Sequence, residues 1–288
     1  GYAAQVDALE IGGLFNIVQK HVRSVQVAGL FNVVGGTVDG LQIAGLYNDV
    51  GGNVSGLQVG GLVNINKSNT KGLQIGGLYN QDQTFNGLQI AGIINNSKHV
   101  SKGAQIAGIV NKAQKINGFQ LGFINIADTM NGVSIGPFNY SRNGKHSLSL
   151  STQENGQLNV SYRSGSYALY NILQVGMIHT DIGRHYHLGY GLGREWTLKK
   201  KFRIATELVN TFYTSADQFD TDYSTVSIQP LLIFQPHKKI QLFAGPRLQY
   251  QLPVYKQDNS YYRSFNKNMI SLSEGSKDAL HLGFSVGV

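Results

Sequence analysis

The chain has 288 residues, of which 36 are glycine, none is cysteine and 14% are charged, and its formal net charge is +8. The lack of cysteine excludes a disulfide-stabilised scaffold, and this composition is atypical of a soluble enzyme. No apolar run approaches the roughly 18 residues that a transmembrane helix requires. The chain opens on Gly1 rather than methionine, which predicts a processed or trimmed product whose targeting segment, if it has one, lies outside the given sequence.

The first half of the chain repeats a short motif, typified by Asp39 to Asn48, DGLQIAGLYN. A polar residue, usually glutamine, alternates with apolar residues in each copy, which predicts a short strand. A step of about 16 residues is too short for a helical-hairpin repeat, so residues 1–142 are predicted to form a β-solenoid. The asparagine that closes each copy recurs nine times at steps of 14 to 16 residues, at Asn16, Asn32, Asn48, Asn64, Asn80, Asn95, Asn111, Asn125 and Asn139.

Equivalent side chains of successive coils stack in columns in a solenoid. The apolar columns that contain Leu41 and Ile43 are expected to form a continuous core. Glycine is expected at the corners, and the asparagine at a bend, bonded to nearby backbone or to the asparagine of the next coil. Exposed polar and aromatic rows would then provide a docking surface, although the same rows could merely solvate or pack the sheet. The residues predicted for this surface are Gln42, Gln58, Gln74 and Gln89 with Tyr47 and Tyr79.

The repeats allow a second geometry, in which each copy is one membrane strand of a single larger barrel. A transmembrane β-strand needs only about 9 to 11 tilted residues. In such barrels short and long turns alternate. The segments between copies, such as VVGGTV and QDQTFN, show no such alternation. The turn lengths therefore favour the solenoid.

The pattern changes at about Lys145, and residues 143–288 are predicted to form a separate domain. In the segment 184–197, Tyr186 and Leu188 lie on one face while His185 and His187 lie on the other. This alternation is typical of membrane barrels, although soluble sandwiches share it. Short connections alternate with connections that become longer along the chain, up to the segment 254–277. This alternation favours an eight-stranded antiparallel outer-membrane β-barrel filled by its own side chains. The predicted segments are 145–153, 156–164, 167–178, 184–197, 201–214, 222–236, 239–253 and 278–288.

Three stretches carry a resemblance to a known family: the copies from Gly13 to Asn139, NGKHSLSLS at 143–151, and GYGLGREW at 189–196. The chain resembles outer-membrane proteins, common in Bacteroidota, that carry GLQIAGLxN-type "surface repeats" ahead of a C-terminal barrel. The resemblance implies a location in the bacterial outer membrane and brings no catalytic residues or settled activity. An even number of strands puts both barrel ends on the periplasmic side, so the repeats are expected in the periplasm.

The predicted barrel lumen contains ionisable residues. The spacing of His185 and His187, with Glu195 on the same face and His281 nearby, suits a metal site, because imidazole and carboxylate are good ligands. The favoured interpretation is a polar network that fills the lumen, because buried charges must be paired. No metal or cofactor is therefore predicted. The members of this network are His185, His187, Glu195, Arg203, Glu207 and Arg247.

The remaining residues limit the possible functions. The basic residues are scattered or lie in turns, as in 199–201, with no helix to enter a nucleic-acid groove. Basic turns suit anionic lipid headgroups instead. No nucleophile elbow surrounds the serines and histidines. The sequence predicts a non-enzymatic outer-membrane structural or interaction protein, an accessory subunit that docks through its repeat face to a larger assembly. Its expected partners are outer-membrane lipid and other outer-membrane or periplasmic proteins. The alternatives are a pore or transporter and a barrel-embedded lipid-modifying enzyme.

Overall fold

The chain folds into two compact units, Gly1–Gly144 and Lys145–Val288. The division falls two residues after the predicted domain boundary. The structure, a computed structural model, describes residues 1–181, 183–215, 221–252, 268–272 and 280–288, with only the backbone described for residues 100, 215 and 221–223. These residues form β-strands and turns, and the described part of the chain contains no helix.

The first unit is a β-solenoid of about nine turns. Equivalent strands of successive coils pair in parallel and in register, so that Gln26, Gln42 and Gln58 are neighbours in one column. The predicted solenoid is confirmed, and the alternative in which the repeats are strands of a larger barrel is wrong. Its strands are β1 (Tyr2–Ala3), β2 (Leu9–Gly12), β3 (Phe15–Val18), β4 (Val22–Ala28), β5 (Phe31–Val34), β6 (Val38–Ala44), β7 (Tyr47–Val50), β8 (Val54–Gly60), β9 (Val63–Asn66), β10 (Asn69–Gly76), β11 (Tyr79–Asp82), β12 (Thr84–Ala91), β13 (Ile94–Ala107), β14 (Val110–Leu121), β15 (Ile124–Met130), β16 (Val133–Ile135) and β17 (Phe138–Ser141).

The interior of the solenoid combines columns of buried amides with small apolar clusters, and the columns predicted to form the core are not part of it. Leu41 and Ile43 lie on the outside and are only partly buried, whereas Val38 and Val50 point inward beside the amides. The predicted alternation of apolar and polar residues is present, but the apolar face that was expected inside points outward. The glutamines predicted to be exposed are fully buried: Gln42, Gln58, Gln74 and Gln89.

Two hydrogen-bonded ladders of side-chain amides explain this interior. Asn48 donates from Nδ2 to Asn64 Oδ1 at 2.8 Å and to the carbonyl oxygen of Val59 at 2.8 Å, and the same bonds recur from coil to coil. The asparagine ladder therefore confirms the predicted bonding at the bend. Gln58 donates from Nε2 to Gln42 Oε1 at 2.8 Å, so the glutamine ladder runs in the opposite direction. Within the ladders the amides satisfy one another, which lowers the free-energy cost of burying them. The end acceptors, Asn16 Oδ1 and Gln120 Oε1, have no partner among the described residues.

One column of the solenoid requires glycine. Gly40 and Gly56 have φ angles of 131° and 123°, a region that side chains with a Cβ rarely adopt. A Cβ on Gly56 would also collide with the carbonyl oxygen of Gly40. Ser24 occupies the same column, opposite Gly40, and is held at a φ of 101°. The first coils therefore contain one strained residue where the later coils have glycine.

The second unit is a closed antiparallel β-barrel of eight strands with one short extra strand. Strand β18 pairs with both β19 and β26, which closes the barrel, and β25 pairs with β26. The predicted eight-stranded barrel is confirmed, while most of the long predicted connection at 254–277 lies outside the described residues. The strands are β18 (Lys145–Gln153), β19 (Leu158–Gly165), β20 (Tyr170–Thr180), β21 (Gly183–Lys199), β22 (Phe202–Ser215), β23 (Thr221–His237), β24 (Ile240–Leu252), β25 (Ile270–Ser271) and β26 (Leu280–Gly287).

The barrel wall is polar inside and apolar outside. Along β21, His185 and His187 point into the lumen and are buried, while Tyr186 and Leu188 are 45% and 59% exposed on the outer surface. Strand β26 repeats the pattern, with Leu282 outside. A barrel in water would place apolar side chains in its interior. The arrangement seen here is the one found in membrane barrels.

The glycine column makes a prediction about solenoid stability. Replacing Ser24 by glycine relieves a strained φ, so Ser24→Gly should raise the free energy of unfolding by about 1 kcal/mol. Gly56→Ala, at the equivalent position two coils later, should lower it by more, since the added methyl group also meets backbone. Urea unfolding of the two variants measures both effects. Equal effects of the same sign would contradict the strain argument.

Candidate functional site

Among the described residues, the barrel lumen contains three groups of charged side chains, of which the first two adjoin each other. In the first, Glu195 on β21 accepts from Arg203 Nη1 at 2.7 Å and forms a second ion pair with Lys145. The Glu195 and Lys145 side chains are almost completely buried, and Arg203 is partly exposed. Glu195 and Arg203, two members of the predicted network, are therefore in contact, and Lys145 is an additional partner of Glu195.

The second cluster surrounds Glu207 on β22. Arg163 binds this carboxylate through two bonds, Nε to Oε1 at 2.6 Å and Nη2 to Oε2 at 2.9 Å. Tyr170 donates its hydroxyl to Oε1 at 2.7 Å, and Gln229 donates to Oε2 at 3.2 Å. Such a bidentate, fully bonded arrangement is the one in which a buried ion pair is tolerated. Ser149 accepts from the remaining Arg163 nitrogen, Nη1.

The third cluster contains Arg247 on β24. Its Nη2 donates to Glu154 Oε1 at 2.7 Å, and its Nη1 donates to Gln249 Oε1 at 2.6 Å. Glu154 lies between β18 and β19 and also accepts from the backbone nitrogen of Phe284 at 2.6 Å. This carboxylate therefore connects the first strand of the barrel to the last.

The two histidines predicted in the lumen lie far from Glu195. His187 Nε2 is 2.8 Å from Asn159 Oδ1 and 3.2 Å from Gln157 Nε2, and His185 Nδ1 is 3.5 Å from Thr180 Oγ1. Eight residues of strand, about 26 Å, separate His187 from Glu195. These side chains cannot share one metal ion. Across the described ranges, no group of three or more histidine, aspartate or glutamate side chains is arranged to hold a metal.

Three charged residues of these clusters were missed by the sequence analysis: Lys145, Arg163 and Glu154. Two inward carboxylates, Glu195 and Glu207, each require a buried cation, and this requirement could have directed attention to the shorter strands β18 and β19. Glu154 has no such signal, because it lies in a turn where no periodicity applies. Lys145, Arg163 and Glu207 line a cavity of about 600 Å³ together with Leu231 and Phe243.

The outer face of the solenoid is apolar along its whole length. We name it the apolar panel and define it as four adjacent columns of nine residues each, those of Leu41, Ile43, Leu46 and Tyr47. No position in the four columns carries a charge. The members are Leu9, Val25, Leu41, Leu57, Leu73, Leu88, Ala104, Phe119 and Val133; Ile11, Val27, Ile43, Val59, Ile75, Ile90, Ile106, Leu121 and Ile135; Leu14, Leu30, Leu46, Leu62, Leu78, Ile93, Ile109, Phe123 and Pro137; Phe15, Phe31, Tyr47, Val63, Tyr79, Ile94, Val110, Ile124 and Phe138.

The apolar panel replaces the docking surface predicted from the sequence. The four glutamines of that prediction are buried and cannot contact a partner. Tyr47 and Tyr79 do lie outside, partly buried within the panel, and the rings of Phe15, Phe31 and Tyr47 stack at centroid distances of 5.3 and 5.1 Å. The solenoid thus presents an apolar surface where amides were expected.

A buried polar group interrupts the valine column of the solenoid interior. Val18, Val34 and Val50 are followed in this column by Asn66, Asp82 and Ser97, all buried. Gln89 donates to Asp82 Oδ2 at 2.9 Å, and the Ser97 side chain also hydrogen-bonds this carboxyl. Burial raises the pKa of Asp82 from 3.8 to about 7, because the charged form loses its hydration.

No family model, no curated protein and no solved structure matches the chain. In the described part of the chain, no helix is long and apolar enough to span a bilayer.

The Glu207 cluster predicts a large effect of removing one charge. Glu207→Gln leaves the Arg163 guanidinium buried without an anion, so the barrel should lose about 3 to 5 kcal/mol of stability. Arg203→Gln is the matched control, because Arg203 is partly exposed and Glu195 keeps Lys145. Urea unfolding followed by fluorescence of Trp196, the only tryptophan of the chain, measures both. Equal losses in the two variants would show that burial of the pair is irrelevant.

Asp82 predicts how solenoid stability depends on pH. Because the pKa is higher in the folded state than in the unfolded state, the carboxyl destabilises the solenoid progressively as pH rises from about 4 to about 7. Asp82→Asn should therefore be more stable than the unchanged chain by up to about 4 kcal/mol at pH 8, with the difference vanishing near pH 4. Asn66→Asp, in the preceding coil, should have the opposite effect. Unfolding curves across this pH range test both, and a difference that is independent of pH would refute the argument.

Proposed function

We propose that the chain is a non-enzymatic outer-membrane structural and interaction protein. In this proposal it is an accessory subunit of a larger assembly, and its filled barrel anchors the solenoid to the membrane. The observation that carries the proposal is the barrel wall, whose side chains are apolar towards the outside and polar or charged towards the lumen. An apolar outer band of this kind is stable in hydrocarbon and unfavourable in water.

The even number of barrel strands supports a periplasmic location for the solenoid. Strand β18 starts and strand β26 ends at the same end of the barrel, since eight strands return the chain to where it began. Short turns join strands at this end, such as 200–201 and 238–239, and short turns are typical of the periplasmic end. The solenoid precedes β18, so we place it in the periplasm.

The contents of the lumen favour an anchor over a pore. Eight strands enclose an interior that side chains can fill, and Arg163, Glu207 and Arg247 are almost completely buried there. Such tightly paired side chains would have to separate before a solute could pass. These contacts support a structural role for the barrel rather than transport.

The serines of the lumen give no support to a hydrolytic enzyme. The hydroxyl of Ser149 donates to the carbonyl oxygen of Ser161 and accepts from Arg163. A serine nucleophile needs a general base positioned to take its proton. At Ser149 the partners are a carbonyl and a cation, so this hydroxyl is not activated for attack.

The solenoid supplies the surface for interactions in this proposal. Its outer surface has two chemically different sides, the apolar panel and a polar side that includes Asp39, Ser55, Lys71 and Lys102. Extended surfaces of stacked repeats are commonly used for binding. A protein partner would recognise the polar side through hydrogen bonds and charges.

The mass and composition of the native particle test the accessory-subunit proposal. The particle is extracted from the outer membrane in mild detergent, and we expect a stoichiometric companion protein in addition to this chain of 31.4 kDa. A lone chain would overturn the accessory role. Conductance of the purified chain in a planar bilayer is the complementary measurement. Steady single-channel currents would contradict the filled anchor and favour a pore.

A further inference from the structure

We propose that the apolar panel of the solenoid lies against the lipid bilayer, with its side chains in the boundary between headgroups and acyl chains. This inference rests on the proposed membrane location of the barrel and adds a second, separate lipid contact. The juxtaposition that motivates it is four complete columns of apolar side chains on the outside of a solenoid whose interior contains two ladders of buried amides.

The panel is too large to remain exposed to water. Nine coils at about 4.8 Å per coil step give a height of about 38 Å, and the seven residues from Leu41 to Tyr47 extend about 20 Å around the coil. Measured around the bend at 45–46, the area is therefore roughly 800 Å², whereas the largest apolar patch of a typical soluble monomer is about 300 to 600 Å². The corner leucines Leu46 and Leu62 are 40% and 42% exposed. Something must cover this surface.

The chemistry of the panel favours lipid over a protein as its cover. A protein interface that buries about 800 Å² on each partner carries about ten direct hydrogen bonds. The panel offers only two hydroxyl groups, those of Tyr47 and Tyr79, and Tyr79 already donates to Gln81 at 2.8 Å. The backbone groups of these strands are used within the sheet. Acyl chains require no hydrogen bonds from the surface that they cover.

The sizes of the panel residues also indicate a fluid cover. Ala104 and Phe119 are adjacent in one outer column, while the neighbouring interior column keeps glutamine in both coils, Gln105 and Gln120. Protein interiors and interfaces need complementary shapes, so a protein partner with a fixed shape would have to match each change in side-chain size along the column. Acyl chains adjust to an uneven surface. The interior amides do not tolerate such variation, because each one must reach the next.

The surroundings of the panel suit a membrane surface. The column at one edge includes Arg23, Lys71 and Lys102 together with Asp39, and the column at the other edge includes Asp49 and Lys112. Lysines beside an apolar face can reach phosphate groups while the apolar side chains enter the boundary, as in interfacial helices. Only three residues separate the last solenoid strand, which ends at Ser141, from the first barrel strand, which begins at Lys145. This short connection keeps the solenoid at a high effective concentration near lipid.

Tryptophan fluorescence with brominated lipids tests the inference in the full chain. The protein is reconstituted into vesicles of phosphatidylcholine and phosphatidylglycerol, with and without bromine on the acyl chains. In the unchanged chain, Trp196 on the outer wall of the barrel reports barrel insertion. Two variants are then made on a Trp196→Phe background. Leu62→Trp places the probe in the panel, and Asn69→Trp places it at an exposed position seven residues further along the coil, outside the panel and the columns at its edges.

We expect bromine to quench Trp196 and the Leu62→Trp probe to a similar extent and to leave the Asn69→Trp probe almost unaffected. Quenching of Trp196 without quenching of the Leu62→Trp probe would overturn the inference and leave the membrane barrel intact; the panel would then be covered by a second copy or by another protein. Equal quenching of both solenoid probes would also overturn it, because the panel would not be the specific contact. An unquenched Trp196 would reject the proposed membrane location itself.

A folding control keeps the test decisive. Each variant is accepted only if its protease-resistant solenoid fragment matches that of the unchanged chain. Leu78→Trp, at the equivalent position in the next coil, replaces Leu62→Trp if that variant misfolds. Because Leu78 is also 42% exposed in the same column, it should give the same quenching.

Discussion

The solenoid depends on hydrogen bonds between identical side-chain amides of successive coils. An asparagine or glutamine buried alone would cost several kcal/mol, because its donors and acceptor would lose water without replacement. Stacking coils about 4.8 Å apart brings each amide within bonding distance of its counterpart, as Asn64 and Asn80 show at 2.8 Å. The bond forms only in one register, since a slip of one residue would bring an apolar side chain opposite each amide. The polar interior therefore fixes the alignment of coils more strictly than an aliphatic core would.

This interior also determines the outside. Successive residues of a strand point to opposite faces, so a column of amides inside requires its sequence neighbours, Leu41 and Ile43 beside Gln42, to point outward. The barrel obeys the same rule with different chemistry. Its lumen contains paired charges such as Arg163 and Glu207, and its outer wall contains Leu188 and Leu282. The barrel thus satisfies polar groups internally and leaves apolar side chains on its outer wall, the arrangement that suits an apolar solvent. The solenoid shares this arrangement only along its apolar panel.

The periodicity of the sequence could predict the elements but not the direction of the faces. A repeat of about 16 residues and strands of alternating polarity identified the solenoid, the change at Lys145 and all eight barrel strands. Alternation alone does not show which face of a strand points inward, however. The expectation that the apolar face is buried therefore gave the wrong orientation for the solenoid strands. The distinguishing signal was present in the columns: glutamine recurs from Gln26 to Gln120, while the neighbouring column varies from Ala104 to Phe119. Glu154 could not be found in this way, because its partner Arg247 is 93 residues distant in the chain and only the closed barrel brings them together.

The opposite directions of the two ladders explain how so many coils can be stacked. Amide dipoles that are aligned in one direction add along a column, as they do in a helix, and leave partial charges at the ends. In this solenoid the asparagines donate towards higher residue numbers and the glutamines donate towards lower ones, so the two sums oppose each other. The glutamine ladder ends on a carboxylate, Glu10, which accepts from Gln26 at 2.8 Å and supplies a full negative charge to the last donor. Further coils therefore add bonds without accumulating a dipole, and the apolar panel can extend as far as the repeats continue.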